Sequence, residues 1–404
     1  MSDKSNLQLR MVNSLREIAP ERWDACAQPQ KGTPCNPFLS HAFLSSLEES
    51  GSAAPETGWG ACHVLLEDTT NNTLIGCVPL YLKGHSQGEY VFDYGWASAF
   101  EQAGGRYYPK LQSCVPFTPV PGRRLLTYPD NNAETIENQL LAGCLTVAEK
   151  LKVSSLHFTF LPKSQWALMG ENTLLQRTDQ QFHWSNEDYN SFDDFLTVLA
   201  SRKRKSIRKE RAEVQQSGLQ IECLTGSDIK EHHWDSFFAF YMDTSSRKWG
   251  HSYLTRTFFS LIGERMADNI LLVMAYRKGQ PIAGSLNIIG SDCLYGRNWG
   301  CLEDHRFLHF EMCYYQAIEF AIAHRLKRVE AGAQGAHKLA RGYLPTPTYS
   351  AHHIAHPQFR EAVARYLDHE REDVSHTIEA LEVMSPFRHD TLNLSVQTPL
   401  IQEK

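Results

Sequence analysis

The 404-residue chain has no pair of cysteines at CxxC spacing; its ten cysteines fall singly at 26, 35, 62, 77, 114, 144, 223, 293, 301 and 313. Thiols scattered in this way exclude a zinc knuckle, argue against a disulfide framework and predict reduced thiols in the interior. No GxSxG elbow is present and no cysteine sits in a recognisable catalytic motif, so a covalent acyl-enzyme is not expected. The longest apolar runs, such as Leu271 to Tyr276, are far too short to cross a bilayer. The opening residues Met1 to Asn6 are polar and lack the apolar core of a signal peptide, which predicts a cytoplasmic chain. His352, His353 and His356 form HHxxH without a nearby acid, not the helical HExxH of a zinc enzyme, and no metal site is expected. Low-complexity tracts are absent. The net charge of −6 leaves no overall positive excess, so any nucleic-acid contact needs a local basic patch.

What is present is a globular composition, 42% hydrophobic and 21% charged, in a chain too long for one ordinary domain. Apolar spacing predicts a helical stretch opening at Pro37 and carried by Phe43, Leu44 and Leu47 to Gly51. Strand patterns follow over Trp59 to Glu67 and Leu74 to Lys83, then a loop-rich, aromatic region from Tyr90 to Leu126, a helix over Ala133 to Leu151 and a strand over Ser155 to Phe160. The second half reads as one long helix from Phe192 to Gln216, a strand over Leu219 to Leu224, and helices over Trp234 to Thr244 and Leu254 to Met266. Three strands (Ile270 to Arg277, Pro281 to Ile289, Cys293 to Trp299), a helix from Phe310 to Arg325, a strand at Arg328 to Ala331 and a last helix from His356 to Leu381 complete it. Strands, a loop, a helix and another strand thus recur in the same order in each half. This predicts an α/β (α+β) fold of two domains, 1–180 and 181–385, each a mixed sheet flanked by helices, with a boundary in the polar stretch Arg177 to Gln181 and a loose tail over 386–404.

Several segments resemble a known family in combination. They are Arg204 to Arg211 (RKSIRKER), Lys248-Trp249-Gly250, Ala283 to Asn287 (AGSLN), Leu294 to Gly300 (LYGRNWG), Leu308 to Glu311 (LHFE), Glu330 to Lys338 (EAGAQGAHK) and Val115 to Leu126. Together they resemble the FemAB-like, peptidoglycan-biosynthesis-like N-acyltransferases of the GNAT superfamily, over nearly the whole chain. The resemblance implies tandem GNAT-like (acyl-CoA N-acyltransferase) domains and transfer of an acyl or aminoacyl group to an amine. It implies no bound cofactor, with aminoacyl-tRNA or acyl-CoA as co-substrate, and an amine-bearing small molecule or cell-wall precursor as acceptor. A tRNA partner follows only with the first donor. A non-catalytic module that binds a precursor or RNA is a third reading.

Transfer to an amine needs a route for the amine's proton and donors for the oxyanion. Glu330 or His337 fits the first role, with the amides near Gly332 to Gly335 for the second. Arg297, in an apolar-aromatic strand, needs an anionic partner, which is Glu311 or a substrate carboxylate. Gln334, Lys338 and Arg341 complete a substrate-binding set, and Asp93 and Trp96 stand as first-half candidates. On the basic helix Arg204, Arg208 and Arg211 share one face suited to phosphates, while Arg202, Lys205 and Lys209 share another. Gly122 and Arg123 offer a second phosphate loop, weakened because Pro119 and Pro121 remove two amide donors. Neither half carries the glycine-rich turn customary for CoA pyrophosphate, which tilts the donor toward aminoacyl-tRNA.

Overall fold

Where the apolar period is clear, the chain folds as it dictates. A 3-10 turn at Pro37–Leu39 leads into helix α2 (His41–Glu49), whose Phe43, Leu44 and Leu47 are all buried and whose Ser40 caps it by accepting from the Phe43 amide. Helix α1 (Pro20–Ala27) precedes it, with proline in the first turn. Helix α4 (Ala133–Leu151) turns Ile136, Leu140, Leu141, Cys144 and Ala148 onto a core shared with Val64, Leu66 and Val78. The computed structural model describes residues 7–28, 35–128, 132–248, 252–332 and 335–388.

Two sheets result. The smaller has the order β1-β3-β4-β7, built from β1 (Leu7–Val12), β3 (His63–Asp68), β4 (Thr73–Val78) and β7 (Leu126–Thr127). The larger has eleven strands in the order β10-β11-β12-β13-β14-β9-β15-β8-β6-β5-β2. They are β2 (Trp59–Ala61), β5 (Tyr81–Lys83), β6 (Lys110–Ser113), β8 (Ser155–Leu161), β9 (Leu175–Ser185), β10 (Gln220–Thr225), β11 (Ile270–Arg277), β12 (Gln280–Ile289), β13 (Cys293–Cys301), β14 (Arg328–Glu330) and β15 (Leu344–Ile354). Each of the two early strand patterns is therefore divided. Trp59 to Glu67 splits at Cys62 between the two sheets, and Leu74 to Lys83 splits after Val78.

The repeat expected from the element order is visible as two parallel pairs. In the first half β6 pairs with β8 (Gln112 beside His157) across α4; in the second, β13 pairs with β14 (Tyr295 beside Glu330) across α10 (Leu308–Phe310), a π-helical turn Glu311–Tyr315 and α11 (Gln316–Ala323). The halves then exchange strands. β9 follows the first half, after α5 (Lys163–Glu171), yet pairs with β14; β15 ends the second half yet pairs with β8; and the two pair with each other. Residue 180, where the sequence suggests a boundary, lies inside β9, so the polar stretch Arg177 to Gln181 is a strand of the joined sheet and not a linker.

Other elements also depart from the sequence reading, among them β1, α1, α5 and β15, which it did not expect. The aromatic region after Tyr90 contains helix α3 (Tyr94–Gln102) and strand β6. The long basic helix is broken into α6 (Phe192–Val198) and α7 (Ser201–Gln216), because Leu199 and Ala200 are extended and Ala200 donates to the Pro386 carbonyl at 2.8 Å. Residues 386–388 of the expected tail are thus held, Arg388 donating its amide to Val198 O at 3.1 Å; residues 389–404 lie outside the described residues. Helix α8 (Glu231–Lys248) lies against β12 and β13, and α9 (Arg256–Arg265) packs on α8 and α2. Gly300 permits this approach, since a Cβ there would stand 2.3 Å from the Phe240 backbone. Helix α12 (Pro357–Val383) lies along β9 and β15. Among the described residues no helix is long and apolar enough to cross a membrane.

Candidate functional site

The second half's parallel pair is short. β13 and β14 are in register only from Cys293–Arg328 to Tyr295–Glu330, after which β14 ends and β13 continues to Cys301 paired with β12 alone. Beyond that point the two strands no longer pair; such a parting at the carboxyl ends of parallel strands, here termed the crevice, is the usual place for a ligand in such sheets. β13 is also bulged there. Leu286 faces Asn298 and Asn287 faces Gly296, so Arg297 is the extra residue and has no partner in either ladder. Bulges of this kind re-aim a side chain.

Three buried polar atoms at this place lack a hydrogen-bond partner among the described residues: Arg297 Nε, Glu330 Oε2 and Asn287 Oδ1. Glu330 is 2% exposed and accepts from Arg328 Nε through its other oxygen, at 3.2 Å. Arg297 lies over the Phe38 ring at 5.3 Å; burial lowers its pKa, opposed by the charge of Glu330. Buried groups left open in this way cost free energy unless a ligand or water completes them.

The turn Ala336–Arg341 forms the facing wall. Lys338, 5% exposed, donates from Nζ to the carbonyls of Ala331 (2.6 Å) and Gly332 (3.0 Å). Burial, then the charge of Arg297, brings its pKa down to about 8. His337 is exposed and its Nε2 lies 2.9 Å from the Tyr314 hydroxyl; desolvation and the charges of Lys338 and Arg341 lower its pKa. Gln334, expected beside them, lies outside the described residues, as do Trp249 and Gly250. The carbonyls at Ala331 and Gly332 are aimed at Lys338, which places a cation on this wall; residues 333 and 334, between the glycines expected to offer amides, lie outside the described residues.

The remaining expected residues are separated from this crevice. Glu311 is buried and bound bidentately by Arg211, not by Arg297 (Nη2–Oε1 2.9 Å, Nε–Oε2 3.1 Å). Arg211 is further held by Glu319, so it is unavailable to phosphates; Arg208 pairs with Asp193 at 3.1 Å, and Arg204 reaches Thr197 O at 3.4 Å. Arg341 donates to Glu210 (2.8 Å), the Tyr315 hydroxyl (3.0 Å) and the His337 carbonyl (2.8 Å).

In the first half the corresponding end of the parallel pair is filled. The fully buried Arg124 donates to the carbonyls of Val120, Gly122, Arg123 and Thr159. Gly122 donates its amide to Phe160 O, and Arg123 reaches the Cys26 and Ala27 carbonyls, so the expected phosphate loop is a closed internal turn. Asp93 accepts from Lys110 (2.6 Å) and the Tyr107 hydroxyl (2.7 Å) inside a buried network with Glu89, Lys83 and His157. Burial opposes its charge, but Lys110 and His157 hold its carboxyl well below the usual range. Trp96 is 7% exposed, packed between Arg177 (5.2 Å) and the edge of His352 (5.1 Å). His352 in turn meets His157, Nδ1 to Nδ1, at 2.7 Å.

Sequence reasoning missed His183 and Asn287. His183 lies beside Glu330 in the β9–β14 register, on the strand exchanged from the first half, and burial lowers its pKa. Nothing local marks it, because its neighbour is 147 positions away by their numbers (330 − 183). Asn287 lies within a recognised segment, and only its place opposite the bulge singles it out.

No curated protein matches the chain by sequence. Among solved structures, FemX superposes with TM-score 0.53 at 11% identity, covering 88% of this chain and all of FemX. A conserved protein of unknown function from Bacteroides thetaiotaomicron gives 0.50 at 10% identity over 85% of this chain and 99% of its own. A tandem GNAT protein of the clavulanic acid pathway gives 0.48 at 12% identity over 87% of this chain and 99% of its own. The fold is the mixed α/β fold expected from the sequence, and it is shared with FemX. A family profile described as peptidoglycan biosynthesis/recognition matches residues 14–389, and the chain belongs to that FemAB-like family.

Proposed function

We propose that the chain is an N-acyltransferase that moves an acyl or aminoacyl group from an activated ester or thioester to a substrate amine in the crevice after Tyr295 and Glu330. The observation that carries this reading is the coincidence of Arg297, Glu330 and Asn287, each with a buried unpaired polar atom, where two parallel strands part. Membership of the FemAB-like family supports the chemistry and the link to peptidoglycan.

In this reading the amine nitrogen attacks the donor's carbonyl carbon. A C–N bond forms, the bond from carbonyl carbon to the leaving oxygen or sulfur breaks, and the amine's proton passes by way of Glu330 Oε2 to the leaving group. No covalent enzyme intermediate is required, because holding the two reactants together lowers the barrier by itself. Lys338 and Arg297 supply positive charge to the anionic groups and to the oxyanion. His337, on the exposed side of the same turn, is the alternative proton carrier. Aminoacyl-tRNA is the preferred donor, since the first-half loop around Gly122 is closed and neither half offers a glycine-rich pyrophosphate turn; acyl-CoA is the second.

The test is product mass spectrometry after incubation with an amine-bearing cell-wall precursor and either charged tRNA or acyl-CoA. Product that is lost on Glu330→Gln supports the reading. Full turnover by both Glu330→Gln and His337→Ala removes the assigned chemistry.

A further inference from the structure

Between α7 and the turn Ala336–Arg341 lies a cavity of about 380 Å³, lined chiefly by Arg202, Lys203, Ser206, Glu210 and Arg341. We propose that this cavity is a phosphate-binding site that seats a phosphoryl group of the donor, resting on the transferase reading above. The face involved is not the one the sequence suggests, since Arg204, Arg208 and Arg211 turn toward Thr197, Asp193 and Glu311.

Three observations converge on it. Its volume is in the range of small-ligand pockets, roughly 300 to 1,000 Å³. Its charge is positive: Arg202, Lys203 and Arg341 face one carboxylate, Glu210, and that carboxylate is already engaged by Arg341 and by the Tyr315 hydroxyl. Arg202 and Lys203 pair with no carboxylate among the described residues, while the Ser206 hydroxyl on the same wall donates to Glu210 Oε1 at 3.3 Å. The local sequence also works against the fold here. The first turn of α7 holds three cations and no acid, and Ala200 gives it no side-chain cap. Cations at a helix N-terminus are disfavoured by the helix dipole, and a bound dianion would reverse that sign. The cavity shares its turn with the crevice, because Arg341 donates to the carbonyl of His337, the residue before Lys338. A phosphate seated there tethers the donor beside the wall where its carbonyl reacts.

Both candidate donors carry phosphate, so the experiment separates them. The probes are an RNA hairpin ending in CCA and free coenzyme A, titrated into the full-length protein by anisotropy and calorimetry. Arg202→Ala/Lys203→Ala is compared with Lys205→Ala/Lys209→Ala, which removes the same charge from the same helix outside the cavity. The cavity pair is expected to weaken the probe that the wild type binds by about tenfold or more, and the control pair by less than about threefold. The probe that responds identifies the source of the phosphate. The proposal is overturned if the wild type binds neither probe, if both pairs lose affinity equally, or if the cavity pair transfers acyl groups with an unchanged donor KM. Binding is read without turnover, so a protein that binds through Arg202 and Lys203 but transfers nothing would refute the transferase reading and leave the cavity standing.

Discussion

Arg211 and Glu311 form a bidentate ion pair between α7 and the π-helical turn, at 2.9 and 3.1 Å, with the carboxylate 3% exposed. The pair fixes the basic helix against the helix that links β13 to β14. Glu311 also accepts from Gln316 at 2.8 Å, so its oxygens are engaged internally. Arg211→Ala would leave a buried carboxylate without its cation, and a loss of about 3 to 5 kcal/mol is expected. The check is the urea midpoint, which should fall with the slope unchanged. A midpoint within error of the wild type would show that the pair is dispensable.

Glu330→Gln keeps the shape of the residue and removes its ability to take a proton. Loss of general-base assistance is expected to lower kcat by about two to four orders of magnitude while donor binding is retained. Steady-state kinetics paired with donor titration separates the two, and a rise in KM alone would assign Glu330 to binding instead.

Lys338 gives the pH dependence. Its pKa is lowered to about 8, so the ammonium is present below that pH and is lost as pH rises through it. If the cation serves transfer, the rate falls on the alkaline side of about pH 8. Lys338→Arg is expected to move this limb beyond the accessible range, because guanidinium stays charged. Lys338→Gln should give a low rate without the limb. A wild-type rate that is flat from pH 7 to pH 10 would contradict this role.

The first-half network should behave as structure. Lys110, 1% exposed, holds Asp93 and Glu89, so Lys110→Met leaves the buried Asp93 without its cation and Glu89 with Lys83 alone, at an expected cost of about 3 to 5 kcal/mol. The sign with pH follows from Asp93, whose pKa is lower folded than unfolded. Its contribution is complete above the unfolded carboxylate range and is lost as pH falls through the folded value. Thermal melts across acid pH are expected to show a shallower loss in the variant than in the wild type. Equal slopes would assign the acid sensitivity elsewhere.

The sequence by itself determined the elements whose stability is local. The apolar stripe of α4 is a periodic pattern that one buried face enforces, and the continuous run of β11 is apolar because both of its faces are buried; the order of strand, helix and strand in each half follows from such segments. It also marked Glu330, Lys338 and Arg297 through their segments. Only the tertiary structure decided what depends on distant pairing. β9 reads LQRTDQQFHWS, polar enough to pass for a linker, and it is a strand because β14 and β15 pair with it on either side. The break between α6 and α7 exists because residues 386–388 bind there, and Arg211 faces Glu311 because two helices a hundred residues apart pack together. Periodicity reports which face of a segment is buried, whereas the partner of a charge or a strand edge is set by which remote segment fills the space beside it.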